Sequence, residues 1–322
     1  MRTRLLPSAV VLAVLFTACS EPGTANELPP TTTIGATSVT TSPPSSAAPD
    51  SVAPGTSTTI TTLAEPAEFL LYDHWQGSFM FGPGIRIDVH APEVRSNHPI
   101  AVTVHGGGWY GGGVDAMGQL ADGLAARGFV VFNATYRTIN QGGSFPSMVE
   151  DVACAVAYAR EHALDYSTTD DHFTLIGHSA GAHLSALVAL APSVFGTSCQ
   201  GADVPVDAWV GLAGPYDTDL YAFLLQPFFG TAFAEDPEPW RAGNPLTYIG
   251  SIDPSLGLLL IHGDVDELVP ATMSENLYLA AEQAGANVSL RIIPNAGHGE
   301  VNSPRIVGDL IADFVAADRS GQ

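Results

Sequence analysis

Gly177-His178-Ser179-Ala180-Gly181 stands between a short apolar run at 173–177 and an Ala- and Leu-rich stretch at 180–190, and it leaves the backbone few options. A serine flanked by glycines at this spacing, leaving a strand and starting a helix, sits in a sharp turn. That turn tolerates only small neighbours and projects the hydroxyl at a helix start. The surrounding pattern supports the context. Residues 85–90, alternating apolar and polar, read as an early half-exposed strand, and the runs at 100–104, 129–133, 173–177, 208–212, 258–262 and 288–293 read as further strands. Longer stretches at 114–127, 147–162, 180–190, 272–284 and 304–317 read as helices. This alternation predicts an α/β fold, a mostly parallel sheet with helices on both faces. No internal repeat interrupts it.

Three further motifs follow the strands. His105-Gly106-Gly107-Gly108-Trp109 comes directly after the 100–104 run. Glycines there let backbone N–H groups approach a substrate oxygen with no Cβ in the way. Donors aimed at a developing oxyanion are worth about 2.7–4 kcal/mol each. No Lys follows these glycines, so they do not read as a phosphate cradle. After the 258–262 run comes Gly263-Asp264-Val265-Asp266-Glu267-Leu268-Val269-Pro270, and after 288–293 comes Asn295-Ala296-Gly297-His298-Gly299. The order Ser, Asp, His fits a nucleophile, an orienter and a base. Ser179, Asp266 and His298 are the candidates, with Asp264 bracing its loop through backbone amides. Of the ten histidines, His74, His90, His98, His162 and His172 read as surface or packing residues. His105, His178, His183 and His262 lie at motif edges.

The set H-G-G-G-W, G-H-S-A-G-A-H-L, H-G-D-x-D-x-x-V-P and A-G-H resembles the α/β-hydrolase superfamily. Within it, the chain is similar to hormone-sensitive-lipase-like, feruloyl-esterase-like and kynurenine-formamidase-like enzymes, over about residues 85–318. The resemblance implies a serine hydrolase acting on small carboxylic esters through a Ser179–His298–Asp266 triad and an acyl-enzyme. It places the oxyanion donors at Gly107, Gly108 and Ala180, and it implies no cofactor and no metal. An amide or formamide hydrolase with the same triad stays open, as does a catalytically silent binding module. In the families it resembles, the stretch after the sixth strand often carries a lid over the site. Between Gly214 and Gly250 the strand–helix rhythm breaks, and Tyr216, Tyr221, Phe223, Phe228, Phe229, Phe233 and Trp240 crowd together. With Trp109 and Tyr110 they are expected either to line a substrate pocket or only to pack a short lid insertion.

The N-terminal residues read as an address. Arg2 and Arg4 precede an apolar stretch at 5–16, followed by Thr17-Ala18-Cys19. The stretch is too short to span a bilayer comfortably and fits an export signal. Phe16-Thr17-Ala18-Cys19 resembles a lipobox, although Phe16 departs from the usual Leu. Residues 1–19 are therefore expected to be a lipoprotein-type signal ending at a lipidated Cys19, with plain secretion as the alternative. Residues 20–66, rich in Thr, Ser and Pro, are expected to be a disordered tether, and 67–320 the catalytic domain. Export to an oxidising compartment leaves Cys154 and Cys199 as a possible disulfide. With 33 acidic residues against 11 arginines and no lysine, the chain repels phosphate backbones. Nucleic acid is not an expected partner.

Overall fold

The computed structural model describes residues 75–82, 85–196, 204–218 and 222–321. The expectations for residues 1–66, Cys199, Tyr221 and the Phe223 side chain lie outside what it describes. Eight strands form one sheet in the order β1-β2-β4-β3-β5-β6-β7-β8. They are β1 (Trp75–Gly82), β2 (Ile85–His90), β3 (Ile100–Val104), β4 (Val130–Ala134), β5 (Phe173–His178), β6 (Ala208–Leu212), β7 (Gly257–Gly263) and β8 (Val288–Ile293). β1 pairs with β2, and β2 with β4, antiparallel; every pairing from β4 to β8 is parallel. The helices are α1 (Asp115–Ala125), α2 (Ser147–Tyr166), α3 (Ala180–Leu190), α4 (Pro192–Phe195), α5 (Ala222–Phe229), α6 (Glu238–Ala242), α7 (Thr272–Gln283) and α8 (Pro304–Gly321).

The central strands read as continuous apolar runs because both of their faces are covered. Side chains alternate between two cores. Ile100, Val102 and Val104 of β3, Leu175 of β5, Trp209 of β6 and Leu258 and Leu260 of β7 pack with residues of α2, α3 and α7. Ala101, Ile176, Val210, Leu259 and Ile261 face the opposite way, onto Met117, Leu120 and Leu124 of α1 and Val307, Ile311 and Val315 of α8. β3 is flanked by β4 on one side and β5 on the other, so the crossovers run outward from it in both directions. In an open parallel sheet such a reversal leaves a crevice at the carboxyl ends of the strands. The His105–Trp109 loop after β3 and the turn at Ser179 after β5 both open there.

One ion pair fastens this end of the sheet. The Arg137 guanidinium, just past β4, donates to both carboxylate oxygens of Asp151 on α2 at 2.8 and 2.7 Å, and the Arg137 amide donates to the same group at 2.9 Å. Asp151 is buried, while the Arg137 side chain is 39% exposed. Losing the cation leaves a buried carboxylate short of donors, an effect of about 1.5–3 kcal/mol for hydrogen bonds to a charged group. Solvent screening at Arg137 places the cost of Arg137→Ala at the lower end, about 1.5 kcal/mol. A lower urea midpoint with an unchanged m-value would register it.

Cys154, on α2, is disulfide-bonded. Among the described residues no helix is long and apolar enough to cross a membrane.

Candidate active site

Ser179 occupies the turn between β5 and α3 with φ 54° and ψ −122°, a conformation that residues bearing a Cβ rarely adopt. The surroundings enforce it. The Ser179 amide donates to the Leu212 carbonyl at the end of β6, at 2.8 Å. A Cβ on Gly181 would stand 2.4 Å from the carbonyl oxygens of Val104 and His105. The small residue two places after the serine is thus what lets α3 begin against the end of β3.

From three separate strand ends the structure brings Ser179, His298 and Asp266 together. His298 Nε2 lies 2.8 Å from Ser179 Oγ, and His298 Nδ1 lies 2.7 Å from Asp266 Oδ2. The Asp266 side chain has no exposed surface, and that of His298 is 14% exposed. Burial alone pushes the Asp266 carboxyl up. The Val269 amide, the His298 ring and the Leu268 amide outweigh it and hold the group below its ordinary value, so it stays ionised. An ionised Asp266 can only accept, so His298 Nδ1 carries a proton. In the neutral ring Nε2 is then free to accept from Ser179.

Asp264 does not reach the base. Its Oδ1 accepts the Asn295 amide at 2.6 Å, pinning the loop that carries His298. Bracing its own loop falls to Asp266, whose Oδ1 takes the amides of Leu268 and Val269 at 2.9 Å each.

The glycine loop after β3 folds back on itself. Gly107 and Gly108 have φ of 121° and 61°, Trp109 follows with φ 66°, and the Gly107 carbonyl accepts the amides of Tyr110 and Gly111. Gly106 packs directly on the serine: a Cβ there would lie 2.9 Å from the Ser179 Cβ. Among the described residues, no protein acceptor takes the N–H groups of Gly107, Gly108 or Ala180.

Most of the aromatic residues singled out in the sequence are buried. Tyr216 and Phe228 have no exposed surface, and Trp109 and Phe229 keep only 5% each; all four belong to the core. Tyr216 lies edge-on to Trp209, with its ring against Gly214. Phe228 packs tilted or edge-on among Trp109, Phe145 and His183, and Phe229 lies tilted against Trp240. These large rings pack the insertion onto the sheet. Tyr110 and Phe233, 37% and 44% exposed, present substantial surface.

Two histidines that sequence reasoning left at the motif edges are structural parts of this region. His183 Nε2 donates to the Gly243 carbonyl at 2.8 Å, which leaves Nδ1 to accept from Trp109 Nε1 at 3.3 Å. It thereby ties the glycine loop to the insertion. His178 Nε2 donates to the His298 carbonyl at 2.9 Å, steadying the backbone of the base. Only the H-S-A-G-A-H spacing hinted at either. Burial pushes both rings down to about 4 from an ordinary value of 6.5, outweighing their carbonyl partners. The folded state therefore keeps both neutral while the unfolded chain takes up protons below 6.5. Their contribution to stability is complete above that pH and is lost as pH falls toward about 4. The expected result is a melting temperature that declines across this window, with a shallower decline in His183→Phe, read by calorimetry.

Among the described residues no group of three His, Cys, Asp or Glu side chains is placed to hold a metal ion.

Comparison with known proteins sets this geometry in a family. The fold is that of the α/β-hydrolase esterases. A truncated carbohydrate esterase from gut microbiota superimposes with a TM-score of 0.67 at 22% identity, covering 77% of this chain and 98% of that one. The apo form of Thermogutta terrifontis esterase 2 gives 0.64 at 20% identity, over 75% and 94%. In sequence, the chain is 29% identical over 258 residues to Esterase LipQ of Mycobacterium tuberculosis, covering 73% of this chain. It is 24% identical to isoprenylcysteine alpha-carbonyl methylesterase ICME of Arabidopsis thaliana, over 76% of this chain. The match spans only 60% and 63% of the length of these two relatives. The BD-FAE family matches residues 87–280, more than half of the chain. The protein is a member of the BD-FAE family.

Proposed function

We propose that the protein is a serine hydrolase that cleaves small carboxylic esters. The observation that carries this reading is the run of two short hydrogen bonds from Ser179 through His298 to a buried, ionised Asp266. The relatives named as esterases support it. Ser179 Oγ attacks the ester carbonyl carbon as His298 Nε2 takes its proton. The carbonyl oxygen becomes an oxyanion facing the unpartnered amides of Gly107, Gly108 and Ala180. Collapse breaks the bond to the alkoxy group, which leaves as the alcohol with the proton from Nε2. Water, deprotonated by the same nitrogen, then releases the acid and restores the serine. Asp266 keeps Nδ1 protonated and offsets the imidazolium charge in both halves.

Hydrolysis of p-nitrophenyl acetate, butyrate and octanoate by the full chain tests the reading, with faster turnover of the shorter chains as the expected result. No turnover of any ester by folded protein would refute it. Gly107→Ala probes the oxyanion loop. The new Cβ would meet the Gly111 carbonyl oxygen at 2.1 Å, at a backbone φ of 121°. The loop must move, and kcat is expected to fall by about 100-fold or more, as when an oxyanion donor is lost.

Residues 1–66 lead us to propose further that the enzyme is exported and tethered by lipid at Cys19. Metabolic labelling with a radioactive fatty acid, lost in Cys19→Ser, is the expected outcome in a host that processes lipoproteins.

A further inference from the structure

Asp266 faces two imidazoles, and the triad uses only one of them. His298 Nδ1 lies 2.7 Å from Oδ2, and His262 Nε2 lies 3.2 Å from the same oxygen. His262, near the end of β7, has no exposed surface, and both its ring nitrogens are engaged. Nε2 is 2.8 Å from the Val269 carbonyl, and Nδ1 is 2.8 Å from Ser274 Oγ on α7. A carbonyl only accepts, so the proton sits on Nε2, and in the neutral ring Nδ1 accepts from the Ser274 hydroxyl. The ring's tautomer and its rotation are both fixed by this pair of contacts.

The contacts close a circuit around the carboxylate. The Val269 carbonyl takes the His262 N–H, the Val269 amide donates to Asp266 Oδ1, and Oδ2 lies beside the same His262 nitrogen. The loop that carries Asp266 lies at the surface, with Val265 and Leu268 at 53% and 68% exposure, so the buried His262 ring is a fixed point on its inner side. We propose that His262 is a positioning residue for the hydrolytic reaction: it fixes Asp266 so that Oδ2 meets His298 Nδ1, with Ser274 locking the ring that does so. This rests on the serine-hydrolase reading. A base held by a misplaced carboxylate still binds substrate but stabilises the transition state poorly, so the effect belongs in kcat and not in KM.

The test compares full-length wild type, His262→Phe, His262→Gln and Ser274→Ala on p-nitrophenyl butyrate. His262→Phe removes the N–H donor, while glutamine keeps one at a similar reach. The expected result is a fall in kcat of about 10–100-fold for His262→Phe with KM changed by less than about twofold, and recovery of most of that loss in His262→Gln. A second readout needs no turnover: the low-field proton signal of His298 Nδ1, assigned by its loss in His298→Asn. It is expected to move in His262→Phe and Ser274→Ala and to return toward the wild-type position in His262→Gln. Equal kcat values in the phenylalanine and glutamine variants, or a signal that none of the folded variants moves, would overturn the proposal. If wild type cleaves no ester, the functional reading fails while the proton signal still decides the positioning role. If His262→Phe does not fold, Ser274→Ala and His262→Gln decide it by the same signal.

Discussion

Ser179→Ala is expected to lower kcat on p-nitrophenyl butyrate by about four orders of magnitude or more, with the melting temperature nearly unchanged. The two halves of that result have separate causes. Removing Oγ takes away the hydroxyl at the strained turn that hydrogen-bonds to His298 Nε2. What remains is oxyanion and binding assistance to attack by water. The fold is spared because alanine keeps the same Cβ at φ 54°, and the turn is held by the Ser179 amide on the Leu212 carbonyl and not by the hydroxyl. A comparable loss of stability would mean that Oγ serves packing, and the kinetic loss could then not be assigned to chemistry.

Asp266→Asn is expected to cost kcat about as much, roughly 10⁴-fold, by reversing a tautomer. The amides of Leu268 and Val269 hold one side-chain oxygen at 2.9 Å each. An asparagine would keep its own oxygen there and turn its NH₂ toward His298 Nδ1. Donor would then face donor, and His298 would relieve the conflict by moving its proton to Nε2. A protonated Nε2 cannot accept from Ser179. Asp264→Asn is the matched control. Asp264 only receives the Asn295 amide, which an asparagine oxygen would also receive, so kcat is expected to stay within about threefold. Steady-state kinetics of the two variants side by side separates the roles of the two aspartates.

How far this architecture could be read from sequence follows from where the information lies. Strands buried on both faces must be apolar throughout, and β3, β5, β6 and β7 were visible for that reason within one or two residues. The turn at Ser179 and the order of the three site residues were equally legible, since each follows a strand that announces itself. β1 was not. Its pairing with β2 shifts register between Trp75 and Gly77 and again between Met80 and Gly82, and those irregularities and glycines erase a period-two pattern. α2 runs to Tyr166, beyond the 162 expected, because no glycine or proline stops it before Ser167. The insertion's aromatics show a different limit. Composition reveals a crowd of rings, but not that Phe228 packs against Trp109 and His183. Arg137 and Asp151 lie fourteen residues apart with no local pattern joining them. His262 and His183 carry the same letter as the base, and only their partners in space show which nitrogen holds a proton.

The central claim is that Ser179 is the activated nucleophile, and mass spectrometry after treatment with a fluorophosphonate, which phosphonylates such a serine, tests it most directly. The account predicts one covalent adduct per chain, carried by the peptide that contains Ser179, absent in Ser179→Ala and formed far more slowly in His298→Ala. An adduct on another residue, or none while esters are still being hydrolysed, would contradict it.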